Sequence, residues 1–439
     1  ISAALMRISP AVLHVAYAGM LLAYGAALWL LIKTVTPGSG WPGRTAGMAG
    51  LVLLHSMQLN FLAQGLWDPW TPDFWTSGLA SQYVLGPVWQ PCVFGALLVV
   101  AVALAAHRRY AAAVVFAVAA QAVHASYLIG AAALVAGIAW AAWAEDGNVS
   151  RALRLLIGGG VAMLPFVAFN LWRFRPTAPD LFAAAQTILF EERIPHHANP
   201  AVWWSHLAWL KIGLIVAGLA CVWKQPLRRV LLAPVLFGLA LSLVAGLFRF
   251  HSLALLFPWR VSAWLVPVAL ALVAGWGLDI VGRRKPGRAV LMAASVPGAC
   301  ACLLAAALGV LGFRQLQAAR NPFYEEVLAA VRAHLQPGDV LLIPPHLEEF
   351  RLDARVPVWI DRKTHAYQDA EILAWKARLE AAEAWYAGQP EKLEALDPAG
   401  AVSWVLLDSL TAAAPLPPAS ECVFSNAIYR LVRWERNRP

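Results

Sequence analysis

The densest group of side chains able to do chemistry in these 439 residues is one short polar stretch, Glu191-Glu192-Arg193-Ile194-Pro195-His196-His197-Ala198-Asn199-Pro200. A carboxylate can take a proton from a hydroxyl, and an imidazole can accept or donate one near neutral pH. A guanidinium fork can hold a phosphate through two parallel bonds. Pro195 and Pro200 fix φ and remove backbone donors, so the histidine pair is expected on a stiff loop rather than in a helix. Glu192, His196 and His197 are therefore candidate catalytic residues, and Arg193 a candidate phosphate-binding one. Two further runs, Phe248-Arg249-Phe250-His251 and Phe257-Pro258-Trp259-Arg260, add Arg249, His251 and Arg260 as candidates for binding substrate or phosphate. His124, inside an apolar run, joins this set. The run Trp67-Asp68-Pro69-Trp70-Thr71-Pro72-Asp73 adds two carboxylates, Asp68 and Asp73, either facing a ligand or simply solvated at an interface. A metal site would need a third ligand beside His196 and His197, whose adjacent side chains diverge. Ligand spacing thus does not support a divalent metal, and the cofactor is left unassigned.

The elements that must position these residues are membrane helices. Hydrophobic residues make up 60% of the chain and charged residues only 13%, about half the share of a soluble domain. Mean hydropathy is +0.61. Many of the 21 tryptophans fall near the ends of apolar runs, as an interfacial belt requires. The net charge of +9 resides in short basic loops, without stacking aromatics between them, and so does not read as a nucleic-acid surface. The five cysteines have neither metal spacing nor a disulfide framework. No Gly-x-Ser-x-Gly run supports serine catalysis.

At about 20 apolar residues per crossing, ten candidate crossings lie near 10–33, 46–64, 88–107, 110–125, 127–144, 151–173, 204–223, 228–247, 258–281 and 288–313. The run 110–144 is long for one span, and two short helices turning near His124-Ala125-Ser126 keep both flanking basic clusters on one side. Those clusters (Arg108 and Arg109; Lys224, Arg228 and Arg229; Arg283, Arg284 and Lys285) mark the cytoplasmic side. The loops 65–87, 174–203 and 248–257 then lie outside, as does everything after 313. The chain starts at Ile1 with no cleavable signal pattern, and an outside-first start predicts at least one more helix upstream. The expected architecture is a polytopic α-helical membrane domain, 1–313, followed by a small extracytoplasmic α/β domain, 314–439. In the latter the pattern predicts a helix at 322–335, strands at 340–343, 356–360 and 403–407, a helix at 368–386, and a closing hairpin of 422–424 and 428–433. Without a Gly-rich phosphate loop, a nucleotide site is unsupported. The run Pro344-Pro345-His346-Leu347-Glu348-Glu349-Phe350-Arg351 after the first strand reads as a surface loop, or, lying at a strand's carboxyl end, as a loop that faces the membrane site.

This layout resembles the polytopic GT-C class of membrane glycosyltransferases. The Arg-x-Pro-His-His-x-x-Pro stretch, the Pro-x-Arg helix start and the run Pro-Pro-His-Leu-Glu-Glu-Phe-Arg with Trp-Ile-Asp-Arg-Lys resemble an uncharacterised family of bacterial membrane proteins of that shape. The resemblance implies a multi-pass protein of the bacterial inner membrane that uses a polyprenyl-phosphate-linked sugar at the outer face, with membrane lipid and the lipid-linked sugar as partners. GT-C enzymes place a catalytic acid in the first outer loop, a place Asp68 or Asp73 fills only if no helix precedes. A lipid-linked glycan ligase or polymerase would need the same outer arginines and histidines without an acidic base. A transport or scaffold protein is the alternative of another class, and it predicts deep charges and repeated halves. Neither is evident beyond Lys211 and Asp279.

The orientation is testable directly. A cysteine placed at position 420 is expected to react with a membrane-impermeant maleimide on intact cells. Reaction only after lysis would reverse the topology.

Overall fold

In the computed structural model, the described residues are 10–37, 40–56, 73–86, 90–283, 321–392, 396–411 and 416–434, with a few isolated positions between them. The chain divides into two compact units: residues 1–173 with 189–312, and residues 174–188 with 313–439. The second unit thus includes 174–188, which the sequence reading assigns to an outer loop of the membrane domain.

The first unit is helical: α1 (Pro10–Val35), α2 (Trp41–Leu54), α3 (Ala96–Ala106), α4 (Tyr110–Val123), α5 (Leu128–Asp146), α6 (Val149–Arg173), α8 (His206–Cys221), α9 (Leu227–Leu247) and α10 (Val261–Arg283). α7 (Pro179–Ile188) belongs to the second unit. Among the described residues, five stretches are long and apolar enough to cross a bilayer: Val12–Val35, Ala125–Asp146, Val149–Arg173, Leu227–Leu247 and His251–Ile280. Shorter apolar helices fill the other expected positions that are described, and the tenth expected crossing, 288–313, lies mostly outside the described residues. The run 110–144 is two helices, as the loop charges require. His124 takes an extended conformation between them, and a single 3-10 turn, Ala125–Tyr127, leads into α5.

α10 is the most enclosed of the five long segments, with Trp264 fully buried, and its face from Val261 to Leu272 joins the core formed with α1, α3, α5, α8 and α9. α6 is the opposite case: Leu153, Ile157, Leu164, Phe169 and Trp172 are all exposed, which suits a face turned to lipid. Small residues allow the close crossings. A Cβ on Gly137 would lie 2.8 Å from the carbonyl oxygen of Val230, so α5 and α9 meet backbone to backbone there. At the opposite end of this pair from His124, Glu145 accepts from Tyr110 Oη and pairs with Arg108 at 2.7 Å, and α5 ends on Gly147 in the left-handed conformation.

The second unit is a four-stranded sheet in the order β1-β2-β4-β3, from β1 (Leu341–Leu342), β2 (Trp404–Asp408), β3 (Ser420–Ser425) and β4 (Tyr429–Trp434). β1 and β2 run parallel, and β4 is antiparallel to both β2 and β3. The expected strand at 356–360 contributes one parallel bridge, Val358 to Leu341, because Pro357 has no N–H for a longer ladder. α11 (Pro322–His334) packs with Phe350, Val358 and Trp404, and α12 (Asp369–Tyr386) buries Trp375, Trp385 and Tyr386 against Val405 and Val432. α7 lies along α12, and the Asp369 carboxylate accepts from Thr177 N and Thr177 Oγ1, both at 2.6 Å. That clamp explains why 174–188 leaves the first unit.

Gly137→Val is expected to lower the melting temperature of the detergent-purified protein by an amount equivalent to roughly 1–3 kcal/mol, because overpacking drives α5 from α9. Gly158→Val on α6, where an added Cβ meets nothing within 4 Å, is expected to leave it unchanged.

Candidate functional site

The histidine pair lies on short helical turns, not on a loop. A π-helical turn, Leu189–Arg193, leads into a single α turn, Pro195–Ala198, and another, Pro200–Trp203. The prolines that argued for a loop occupy the first helical positions, where a missing N–H costs nothing and a fixed φ helps. Asn199 caps the second turn by accepting from Ala201 N at 3.0 Å.

His197 is tied on both sides. Its Nδ1 donates to the carbonyl of Ala80 at 3.0 Å, and its own carbonyl accepts from Trp259 Nε1 at 2.7 Å. The ring of His196 lies 4.2 Å from it. Burial, then the charges of His196 and Arg260, push the His197 imidazole down from about 6.5 to about 4, so it is neutral at physiological pH. His196 is lowered as well, by partial burial and then by Arg193.

Trp259 leads to Arg260, in a 3-10 turn (Pro258–Arg260) at the head of α10. Arg260 Nη1 donates to Ser126 Oγ and lies 3.3 Å from His124 Nε2, while the Ser126 hydroxyl lies 3.1 Å from that same nitrogen. The guanidinium sits over the rings of Tyr127 and Phe257, 5.6 and 5.3 Å from their centroids. Phe257 holds φ at +52°, a conformation costly for an aromatic residue and of the kind found where a side chain must be aimed.

The third part is the strap 73–86. It is closed by a bridge between Ser77 and Tyr83, and held from α8 by Lys211, whose Nζ donates to Ser77 Oγ at 2.7 Å and to the Gly78 carbonyl at 2.8 Å. Leu79 N donates to Ser262 Oγ, which donates to the Trp259 carbonyl. Strap, histidine turn and Arg260 turn are thereby one hydrogen-bonded assembly. Asp73 begins the strap and lines an apolar cavity of about 650 Å³ together with Tyr17, Tyr24, Met48, His55 and Tyr83. His55 Nε2 and Tyr24 Oη are 2.8 Å apart on its wall. Tyr83 on the cavity wall donates to Gln90 Oε1 at 3.2 Å, Cys92 Sγ lies 3.9 Å from the same oxygen, and the Cys92 carbonyl accepts from Tyr127 Oη beneath Arg260, so a chain of contacts joins cavity and cluster.

Of the residues expected from sequence, His124, Arg260, His197 and His196 are joined by the contacts above through Trp259, and Arg193 ends the π-helical turn that precedes the histidine pair. His251 stacks on Phe190 of the π-helical turn at 4.3 Å. Arg249 is exposed with φ at +50°, and Glu192 is exposed on the π-helical turn. Asp73 opens on the cavity, and Asp68 lies outside the described residues. Among the described residues no group of three or more His, Cys, Asp or Glu could hold a metal ion. Ser126 and Ser262 are not singled out as site residues by the sequence, and the strap-holding Lys211 stands there only as an isolated charge. A lysine in an apolar run carries a signal of its own, for it must find acceptors.

One family model matches the chain, a domain of unknown function (DUF6798), over residues 324–382. That segment belongs to the second unit and carries most of α11, β1, the His346 turn and the first part of α12. No curated protein matches the chain.

The depressed imidazole of His197 fixes the sign of a pH effect. A base whose folded value lies below its unfolded one binds more protons when unfolded, so stability falls as pH drops from about 6.5 toward 4. The melting temperature of the purified protein is expected to decline over that window, and His197→Gln to flatten the decline.

Proposed function

We propose that this chain is a membrane-embedded glycosyltransferase of the GT-C kind, which transfers a sugar from a polyprenyl-phosphate carrier at the outer face of the bacterial inner membrane. In this reading the ten expected crossings place the strap, the histidine turn and the Arg260 turn on the outer side, together with the C-terminal domain. The observation that carries the proposal is the placement of Asp73, a carboxylate at an apolar cavity of about 650 Å³ that is linked to the Arg260 cluster through Tyr83, Gln90, Cys92 and Tyr127. A lipid-linked sugar phosphate needs those three features together: an apolar wall for the lipid, cationic donors for the phosphate and a base for the acceptor.

The chemistry follows from the parts. Asp73 takes the proton of an acceptor hydroxyl as its oxygen bonds to the anomeric carbon. The anomeric carbon–oxygen bond to the phosphate breaks, and the electron pair leaves with the polyprenyl phosphate. Arg260 is suited to hold two phosphate oxygens at once, since its guanidinium is already oriented by Ser126, Tyr127 and Phe257. His197, whose Nδ1–H is committed to the Ala80 carbonyl, is neutral, adds no competing charge and presents Nε2 as an acceptor.

Transfer of radiolabelled sugar from polyprenyl-phosphate donors tests the reading on purified variants of preserved melting temperature. Asp73→Asn is expected to lower kcat by about two orders of magnitude or more with little change in donor affinity. Arg260→Lys is expected to weaken donor affinity about tenfold although the charge is kept, because lysine has no planar fork. Full transfer by Asp73→Asn would remove it as the base. Absence of transfer with every lipid-linked donor, with lipid still bound, would turn the reading to lipid transport.

A further inference from the structure

The second unit carries a separate constellation that the reading above does not use. β1, the bridge residue Val358 and β2 run parallel to one another, so their carboxyl ends lie along one edge of the sheet. Each end is followed by a polar group: His346 after β1, Asp361 after Val358, and Asp408 as the last residue of β2. In open sheets with parallel strands, ligands bind at that edge. The loops there are bonded to each other, with Arg362 N donating to the Pro345 carbonyl at 3.2 Å.

Asp408 is built to hold His346. Its side chain is only 4% exposed, and Oδ1 accepts from Leu410 N, Thr411 N and Thr411 Oγ1 at 3.1, 2.9 and 2.8 Å. The other oxygen, Oδ2, accepts from His346 Nε2 at 2.9 Å. This carboxylate has no freedom to turn, and by accepting the bond from Nε2–H it keeps the proton on that nitrogen and leaves Nδ1 as the unprotonated nitrogen of the neutral ring. The imidazole is 36% exposed, so an orientation fixed from below is presented to solvent. Pro344 and Pro345 stiffen the turn, which is closed by Leu347 N donating to the Pro344 carbonyl at 3.0 Å.

The neighbouring charges tell what such an edge would bind. Arg362 pairs with Glu383 at 2.8 Å, Lys363 pairs with Glu349, and Arg351 lies 3.3 Å from the buried Asp361. Those cations are balanced by carboxylates, which disfavours an anion. Beside Asp361 runs a row of aromatic rings. Buried Trp375 donates from Nε1 to the Asp361 carbonyl at 3.1 Å, His365 meets it edge to face at 6.2 Å between centroids, and Tyr367, 68% exposed, lies 5.0 Å from His365 and 5.8 Å from Phe174. Fixed acceptors and donors followed by one exposed tyrosine ring suit a ligand whose hydroxyls both give and take hydrogen bonds and whose C–H face packs on an aromatic ring. We infer that the carboxyl edge of this sheet is a binding site for a neutral polyhydroxylated ligand, a carbohydrate, with His346 Nδ1 accepting from one hydroxyl and Tyr367 stacking on the ring. The site rests on residues of the second unit alone and does not depend on the transfer reaction proposed above.

Carbethoxylation of His346 by diethyl pyrocarbonate, followed by peptide mass spectrometry on the full-length protein in detergent, tests it. The reagent attacks the unprotonated ring nitrogen. Asp408→Asn, which presents an amide N–H and reverses the tautomer, is expected to slow the reaction at His346 about tenfold or more. Millimolar oligomers of dextran, mannan, xylan or chitin are the probes. At least one is expected to slow the wild-type reaction severalfold, and Tyr367→Ala to abolish that protection while leaving the unprotected rate as it was. An unchanged rate in Asp408→Asn overturns the held imidazole. Failure of all four probes, or equal protection by inorganic phosphate, overturns the carbohydrate assignment. Because none of these readouts uses a lipid-linked donor, they can fail while the transfer reaction stands, and the reverse.

Discussion

An arginine at the head of the most enclosed long helix must be solvated by the protein around it, and much of the first unit can be read from that constraint. Arg260 is carried at the start of α10, and its guanidinium is met by a serine, a histidine and two aromatic faces. Partners of that kind orient a cation through its donors and its flat faces. The cost of such a site is repaid only by what surrounds it: the backbone break at His124, the strained Phe257, and Trp259 locking onto the histidine turn.

The strap 73–86 shows the same logic in reverse. A lysine 3% exposed in an apolar helix would be costly alone, and the backbone of an irregular strap needs donors at membrane depth. Lys211 and the strap satisfy each other through Ser77 and Gly78. The exchange holds Asp73 at the edge of the cavity, so a buried lysine in an apolar run becomes the means by which a carboxylate is positioned.

The second unit solves a smaller problem. Its sheet is short and mixed, and a two-residue β1 could not hold its neighbours without α11 and α12 packed on either side. Buried Asp408 and Asp361 are kept by local hydrogen bonds at the carboxyl ends of the strands, where backbone amides of the following turns point at them. Rigid carboxylates of that sort are available to orient whatever stands above them, as Asp408 does with His346.

Composition and periodicity alone determined the class. Sixty per cent hydrophobic residues in runs near bilayer length can only be helices packed against each other or lipid, and the switch to alternating short apolar runs after 313 can only be a small mixed sheet. The break at His124 was legible too, because loop charges and span length act locally along the chain. What the tertiary structure decided depends on partners far apart in sequence. That Arg260 meets Ser126, that Lys211 reaches Ser77, and that 174–188 pairs with Asp369 are encounters across 134, 134 and 192 positions. No pattern along the chain encodes such contacts; they follow from which helix faces bury together. The helical state of the Pro195–Ala198 turn was misread for a related reason, since a proline marks both a loop and the first residue of a helix, and only the neighbours that the turn packs against choose between them.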